Sequence, residues 1–110
     1  MNELLKKIVE KLDKKLAEEI VVIDFEHRSS ITDYFVIATA KNYRHASSLC
    51  DEIYELLTNE GITDFRINDI KDSGWLVVDI NDIVVHIFLK EDREKYQLEK
   101  LWADQSVLRM

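Results

Sequence analysis

Residues 75–88, WLVVDINDIVVHIF, decide how the rest of the chain is read. Two apolar runs rich in β-branched and aromatic residues flank Asn81–Asp82, a pair that tolerates the positive φ of a two-residue turn. The stretch therefore predicts a β-hairpin. In that register Ile80 faces Ile83, Val78 faces Val85 and Leu76 faces Ile87 on one side of the sheet. Trp75, Val77, Asp79, Val84, His86 and Phe88 share the other side. Both sides are largely apolar, which predicts strands covered on both faces.

The same stretch sets Asp79, Asp82 and His86 close together in sequence, a combination that suggests a metal or proton-transfer site. Hairpin geometry argues against it. Asp82 sits in the turn and His86 lies four residues down the next strand. Two strand residues span roughly 6–7 Å, so His86 and Asp79 are at best diagonal neighbours on one face. His86 is expected to be a satisfied, half-buried histidine, and neither a metal nor a cofactor is expected.

Working outward, residues 3–19 place Leu4, Leu5, Ile8, Val9, Leu12 and Leu16 at helical spacing and predict one amphipathic helix. IVVIDF (20–25) and DYFVIATA (33–40) read as strands, joined by the polar loop EHRSSIT. Ala46, Leu49, Cys50, Ile53, Leu56 and Leu57 then mark a second helix, with Asn42 suited to cap its start and Gly61 its end. A short strand around Phe65–Ile67 and an acidic turn, NDIKDSG, lead into the hairpin. The tail EDREKYQLEKLWADQ returns to helical turns anchored by Tyr96, Leu98, Leu101 and Trp102. The order is α-β-β-α-β-β-β-α. A helix between strands favours a parallel crossover and the hairpin adds antiparallel pairing, so the expected fold is α/β (α+β), a mixed sheet of roughly five strands flanked by helices.

The 110 residues are expected to form one domain, 1–110. With 46% hydrophobic and 34% charged residues, two Gly and no Pro, neither disorder nor a flexible linker is indicated. The N-terminal residues alternate charges with aliphatics, which predicts neither a signal peptide nor a membrane span. A lone cysteine, Cys50, suits a reducing cytoplasm, and its apolar neighbours predict core packing. Cytoplasmic localisation follows as the expectation.

The net charge is −7. Residues 51–82 hold nine acids (Asp51, Glu52, Glu55, Glu60, Asp64, Asp69, Asp72, Asp79 and Asp82) against Arg66 and Lys71, which equals the imbalance of the whole chain. Such a surface repels nucleic acid, so direct nucleic-acid binding is not expected, and it attracts a basic protein. No phosphate-binding loop or dinucleotide fingerprint is present, and the serines at 29, 30, 47 and 48 lie outside any nucleophile elbow. His27 and His45 read as isolated surface residues, and Arg44–His45 is a weak phosphate signal. Trp75, beside Gly74 and the acidic turn, is either core or the aromatic anchor of a protein interface.

SSITDYFVIATA, RHASSLCDEI, WLVVDINDIVVHIF and REKYQLEKLW, in this order from Ser29 to Trp102, together resemble the ribosomal silencing factor (Iojap, RsfS) family. The resemblance implies a fold like a nucleotidyltransferase core and a non-enzymatic function. It implies binding to the large ribosomal subunit through ribosomal protein fourteen, a block on small-subunit joining, and repression of translation. It also places the partner-binding tryptophan at Trp75 and its apolar companion at Ile80, with Asp79 and Asp82 beside them to meet basic side chains. Strand alternation, however, sets Trp75 and Ile80 on opposite faces, so a shared contact requires twist, a bulge or an exposed hairpin end. The chain departs from the family in carrying Asn68–Asp69 where Glu-Gly is usual and Asn81 where the turn usually has Gly. The alternative reading is a nucleotide-binding or nucleotidyltransferase-like enzyme on the same fold, although no Gly-Ser loop precedes a plausible carboxylate pair. A monomer and a homodimer are equally compatible with the sequence.

Overall fold

A helix begins where a side chain can take over its unpaired first amides, and Asn2 does so: its Oδ1 accepts from Leu4 N at 2.8 Å and from Leu5 N at 3.2 Å. In the computed structural model, which describes residues 2–26, 32–70, 74–96 and 106–109, helix α1 spans Glu3–Lys14. It stops short of the residue 19 that its apolar spacing suggests. Leu16 takes φ +68°, its N–H donates to Asp13 O at 3.0 Å, and Ala17 N donates to Leu12 O at 2.9 Å. This pair of bonds is a Schellman termination with leucine in the left-handed position that usually holds glycine. Leu16 is consequently 64% exposed instead of joining Leu5, Ile8, Val9 and Leu12 in the core.

Strand β1 (Glu18–Asp24) therefore starts earlier than its apolar run suggests, and β2 (Tyr34–Ala40) returns antiparallel beside it. Between Glu18 and Val21 the register gains one residue, a β-bulge at which Glu19 has φ +48°. Helix α2 (Tyr43–Asn59) is capped as expected, with Asn42 Oδ1 accepting from His45 N at 2.8 Å. His45 has more to do than a surface residue. Its Nδ1 accepts from Lys41 N at 3.0 Å, so Nε2 is the donor to Lys15 O at 2.9 Å, and the ring ties the start of α2 to the end of α1.

Strand β3 (Arg66–Ile70) is longer than the Phe65–Ile67 expectation and absorbs Asn68 and Asp69 from the supposed acidic turn. Ile67 opposite Val78 and Ile70 opposite Trp75 explain the extension, since each adds an apolar cross-strand pair. β4 (Trp75–Asp79) and β5 (Ile83–Leu89) form the hairpin in the expected register, Val78 opposite Val85 and Leu76 opposite Ile87. Helix α3 (Lys90–Tyr96) follows, and β6 (Ser106–Arg109), which the sequence did not suggest, pairs with β1. The sheet order is β3-β4-β5-β2-β1-β6, with β2 and β5 parallel and the other pairs antiparallel. The expected mixed sheet is present, and β6 adds a sixth strand. Leu98, Leu101 and Trp102, and the loop residues His27, Ser29 and Ser30, lie outside the described residues.

Alternation along the central strands builds two cores. Ile83, Val85 and Ile87 of β5, with Val36 and Ala38 of β2, face α1 and α2 and pack on Leu5, Ile8, Leu12, Leu49 and Ile53. Phe88, Ile37, Val21, Ile23 and Phe25 form the cluster on the opposite face, with Phe35 and Trp75 at its margin. On that opposite side Arg93 of α3 is buried, and its Nη1 donates to Thr39 Oγ1 at 2.8 Å and to the Glu19 carbonyl at the bulge. Cys50 packs in the helix-side core, as expected, where burial pushes its thiol up to about 12. Among the described residues no helix is long and apolar enough to cross a membrane.

Leu16 adopts left-handed geometry without a glycine's freedom and leaves its side chain in water. Leu16→Gly is expected to stabilise the fold by about 1 kcal/mol, because a β-carbon in that region costs roughly this much. Thermal melting of the two proteins measures it; a lower midpoint for the glycine variant would contradict this account of the helix end.

Candidate partner-binding face

The hairpin and β3 together carry three cross-strand rows on the face away from α1 and α2. Phe88, Trp75 and Ile70 form the first, His86, Val77 and Asn68 the second, and Val84, Asp79 and Arg66 the third. Each row runs from a buried residue on β5 to an exposed one on the edge strand, where Ile70 is 39% exposed. One end of the face is aromatic and aliphatic, and the other carries the charges. Ile70 and Val77 had no functional role in the sequence reading. Hairpin alternation already put Val77 beside Trp75, whereas Ile70 was hidden in what read as a turn.

Trp75 is half-buried and is held from both sides. Its ring stacks on Phe88 with centroids 5.0 Å apart, and its indole Nε1–H donates to His86 Nδ1 at 3.1 Å. The ring is thus held in one orientation at the margin of the core. Gly74 makes room for it. There φ is +65°, a conformation that favours glycine, and a β-carbon would press on the Asp92 carboxylate at the start of α3 and make it turn aside.

His86 departs from expectation. It is 6% exposed rather than half-buried, and it is satisfied at one nitrogen only. Since Nδ1 accepts from Trp75, the neutral ring carries its proton on Nε2, and that atom has no partner among the described residues. Aromatic rings surround it, with Phe35 edge-on at 4.5 Å. Burial lowers the imidazole to about 4, so the ring is neutral near pH 7.

The residues singled out with Trp75 fall in three different settings. Asp79 shares its face but lies about 13 Å along the strand, at roughly 3.3 Å per residue. Its Oδ1 accepts from Asn81 N at 3.0 Å, so the carboxylate also shapes the turn. Asn81 has φ +73°, and the bond from Asp82 N to Ile80 O at 3.0 Å closes a γ-turn around it. The Asp82 side chain is exposed, while its carbonyl accepts from Asp33 N and Tyr34 N and fastens the turn to β2. Ile80 is 5% exposed and belongs to the helix-side core. Strand alternation holds here, neither a bulge nor the hairpin end brings Ile80 around, and the structure does not join it to Trp75. Among the described residues no three His, Cys, Asp or Glu side chains converge as a metal site would require.

The fold and this face define a small α+β protein whose distinctive surface is a half-open sheet edge, apolar at one end and charged at the other. The sequence matches, over residues 1–110, the family described as ribosomal silencing factor during starvation. The ribosomal silencing factor RsfS of Halalkalibacterium halodurans is 33% identical over 94% of this chain and 88% of its own length. A mouse relative, mitochondrial assembly of ribosomal large subunit protein 1, is 33% identical over 87% of this chain but only 43% of its own. The fold superposes on the crystal structure of a Chromobacterium violaceum protein with a TM-score of 0.84, at 26% identity, covering 94% of this chain and 88% of that one. The chain belongs to the ribosomal silencing factor family.

The buried His86 makes stability depend on pH. Its folded value lies below the ordinary 6.5, so between about 6.5 and 4 the unfolded chain binds the extra proton. The associated stability is complete above 6.5 and is lost as pH falls through 4, about 3 kcal/mol in all. Denaturant melts at pH 7 and pH 4 are expected to show this loss in the wild type, and a smaller one in His86→Gln. Equal losses in both would place the acid sensitivity elsewhere.

Proposed function

We propose that this protein silences ribosomes by occupying a surface: it binds the large subunit through ribosomal protein fourteen, excludes the small subunit and so represses translation in the cytoplasm. The observation that carries the reading is Trp75, a half-buried tryptophan fixed by Phe88 and His86 in the same cross-strand row as the exposed Ile70. A rigid aromatic costs little entropy to dock, and half-exposed rings of this kind serve as interface anchors. Asp79 and Asp82 add an acidic end suited to basic side chains of a ribosomal protein, and the net charge of −7 favours such a partner over bare RNA. The family's name and that of the mouse relative, which speaks of assembly of the ribosomal large subunit, point the same way. In this reading Ile80 acts from beneath, holding the turn that displays Asp79 and Asp82. All of these groups act by contact, and the reading assigns no catalytic residue and no cofactor.

Trp75→Ala is expected to weaken binding to isolated large subunits by about thirtyfold, equivalent to roughly 2 kcal/mol, while the fold persists. Ile80→Ala is expected to do the reverse, lowering the melting temperature through a core cavity worth about 2–5 kcal/mol with little direct effect on affinity. Co-sedimentation and melting on the same two samples decide it. Wild-type binding by a folded Trp75→Ala protein would overturn the assignment, and nucleotide binding in a calorimeter would favour the enzyme-like alternative instead.

A further inference from the structure

The helix side of the same sheet edge opens into a groove of about 420 Å³ between the end of α2 and β3, lined by Tyr54, Thr58, Ile62, Thr63, Phe65 and Ile67. Its walls are largely apolar. Tyr54 is 54% exposed and meets Phe65 edge-on at 5.5 Å, and Ile67 is exposed across from them. Ile67 shares the face of Val78, opposite to Trp75, so this groove lies outside the surface assigned to the ribosomal contact.

Two further features say what the groove would accept. β3 ends the sheet, and among the described residues no strand pairs with its outer edge, so outward N–H and C=O groups offer a template for another strand. On this face the flanking charge is mainly acidic, since Arg66 pairs opposite Asp79 on the other face of β3. Between Arg44 and Arg66 there is no lysine or arginine, whereas Asp51, Glu52, Glu55, Glu60 and Asp64 fall in that interval. Glu60 is paired with Lys7 at 2.6 Å and Glu52 with Lys15 at 3.4 Å. Asp51, Glu55 and Asp64 have no cationic partner among the described residues, and Asp64 only accepts from the Asn81 side-chain amide at 3.3 Å. Asp51 and Glu55 stand one turn apart on α2, on the helix stripe that carries Tyr54 and Thr58 into the groove.

We propose that this edge binds a basic, extended peptide segment by strand addition. The segment pairs with the outer edge of β3, lowers an apolar side chain between Tyr54 and Ile67, and places lysine or arginine two residues to either side within reach of Asp51 and Glu55. The period-two alternation of a strand delivers all three side chains to one face. A second copy of this chain fits less well, because two edges carrying the same uncompensated acids repel.

The test uses the full chain, isotopically labelled, titrated with a nine-residue peptide in which isoleucine is flanked two positions away on each side by lysine, with threonine between. Amide shifts confined to 66–70 and to the Tyr54–Phe65 wall, with slowed exchange of outward β3 amides, are expected. Affinity should fall at least tenfold in Tyr54→Ala and in the double variant Asp51→Asn, Glu55→Gln, and should be unchanged in Trp75→Ala. Ile67→Asp is a second variant at the groove. Equal binding of a glutamate-for-lysine peptide, equal binding of a backbone N-methylated one, or shifts centred on Trp75 would overturn the proposal. Protection of the β3 amides without peptide, together with a concentration-dependent mass, would do so as well by making a second copy the occupant.

Discussion

Strand β5 has water on neither side: Ile83 through Phe88 are all buried, and both of its neighbours are strands. Parallel pairing with β2 is what makes this possible, since it requires a crossover long enough to carry a helix. That crossover is α2, and it brings β3 and β4 with it. The helix-side core then needs α1 as a second cover, which explains why α1 lies against α2 and is joined to it through His45. The other side is closed by aromatic rings and by α3. Neither layer fully encloses the far edge, so β3 ends the sheet with residues of mixed character on both of its faces.

The hairpin was legible because its rules are local. A two-residue turn and a period of two determine which residues face each other, and every pairing from Trp75 to Asp79 follows from them. The start of α2 was legible for the same reason, through Asn42. The end of α1 was not, because Leu16 keeps helical spacing and nothing at that position announces a left-handed residue. β3 was under-read because its isoleucines are separated by Asn68 and Asp69. β6 was not foreseen, since SVLR at 106–109 is short and distant in sequence from its partner β1. Within the candidate site, alternation correctly separated Trp75 from Ile80, whereas position within the family suggested a joint contact. The unpaired nitrogen of His86 and the buried Arg93 depend on tertiary neighbours that no spacing rule supplies.

Two titratable side chains, one in each core, are quiet at neutral pH, and the one on the candidate face lends it rigidity. Cys50 is held as a thiol with its value raised to about 12, and His86 as a neutral ring lowered to about 4, so neither is poised for chemistry at neutral pH. His86 instead serves Trp75. An imidazole that accepts from the indole fixes the ring's tilt, and Phe88 fixes its height. Such preorganisation would suit the docking role proposed for this face, because any freedom left in an anchor must be given up on docking.

Arg93 has a consequence for the order in which the chain assembles. Its guanidinium bonds the Glu19 carbonyl at the β1 bulge and the Thr39 hydroxyl on β2, two groups that come together only once those strands have paired. Before then the arginine would lack both of these partners, and α3 depends on such tertiary contacts more than on its own propensity. Closure of α3 is therefore expected to be a late event, following pairing of β1 with β2. The second face of the sheet, Trp75 included, would then reach its final shape only near the end of folding.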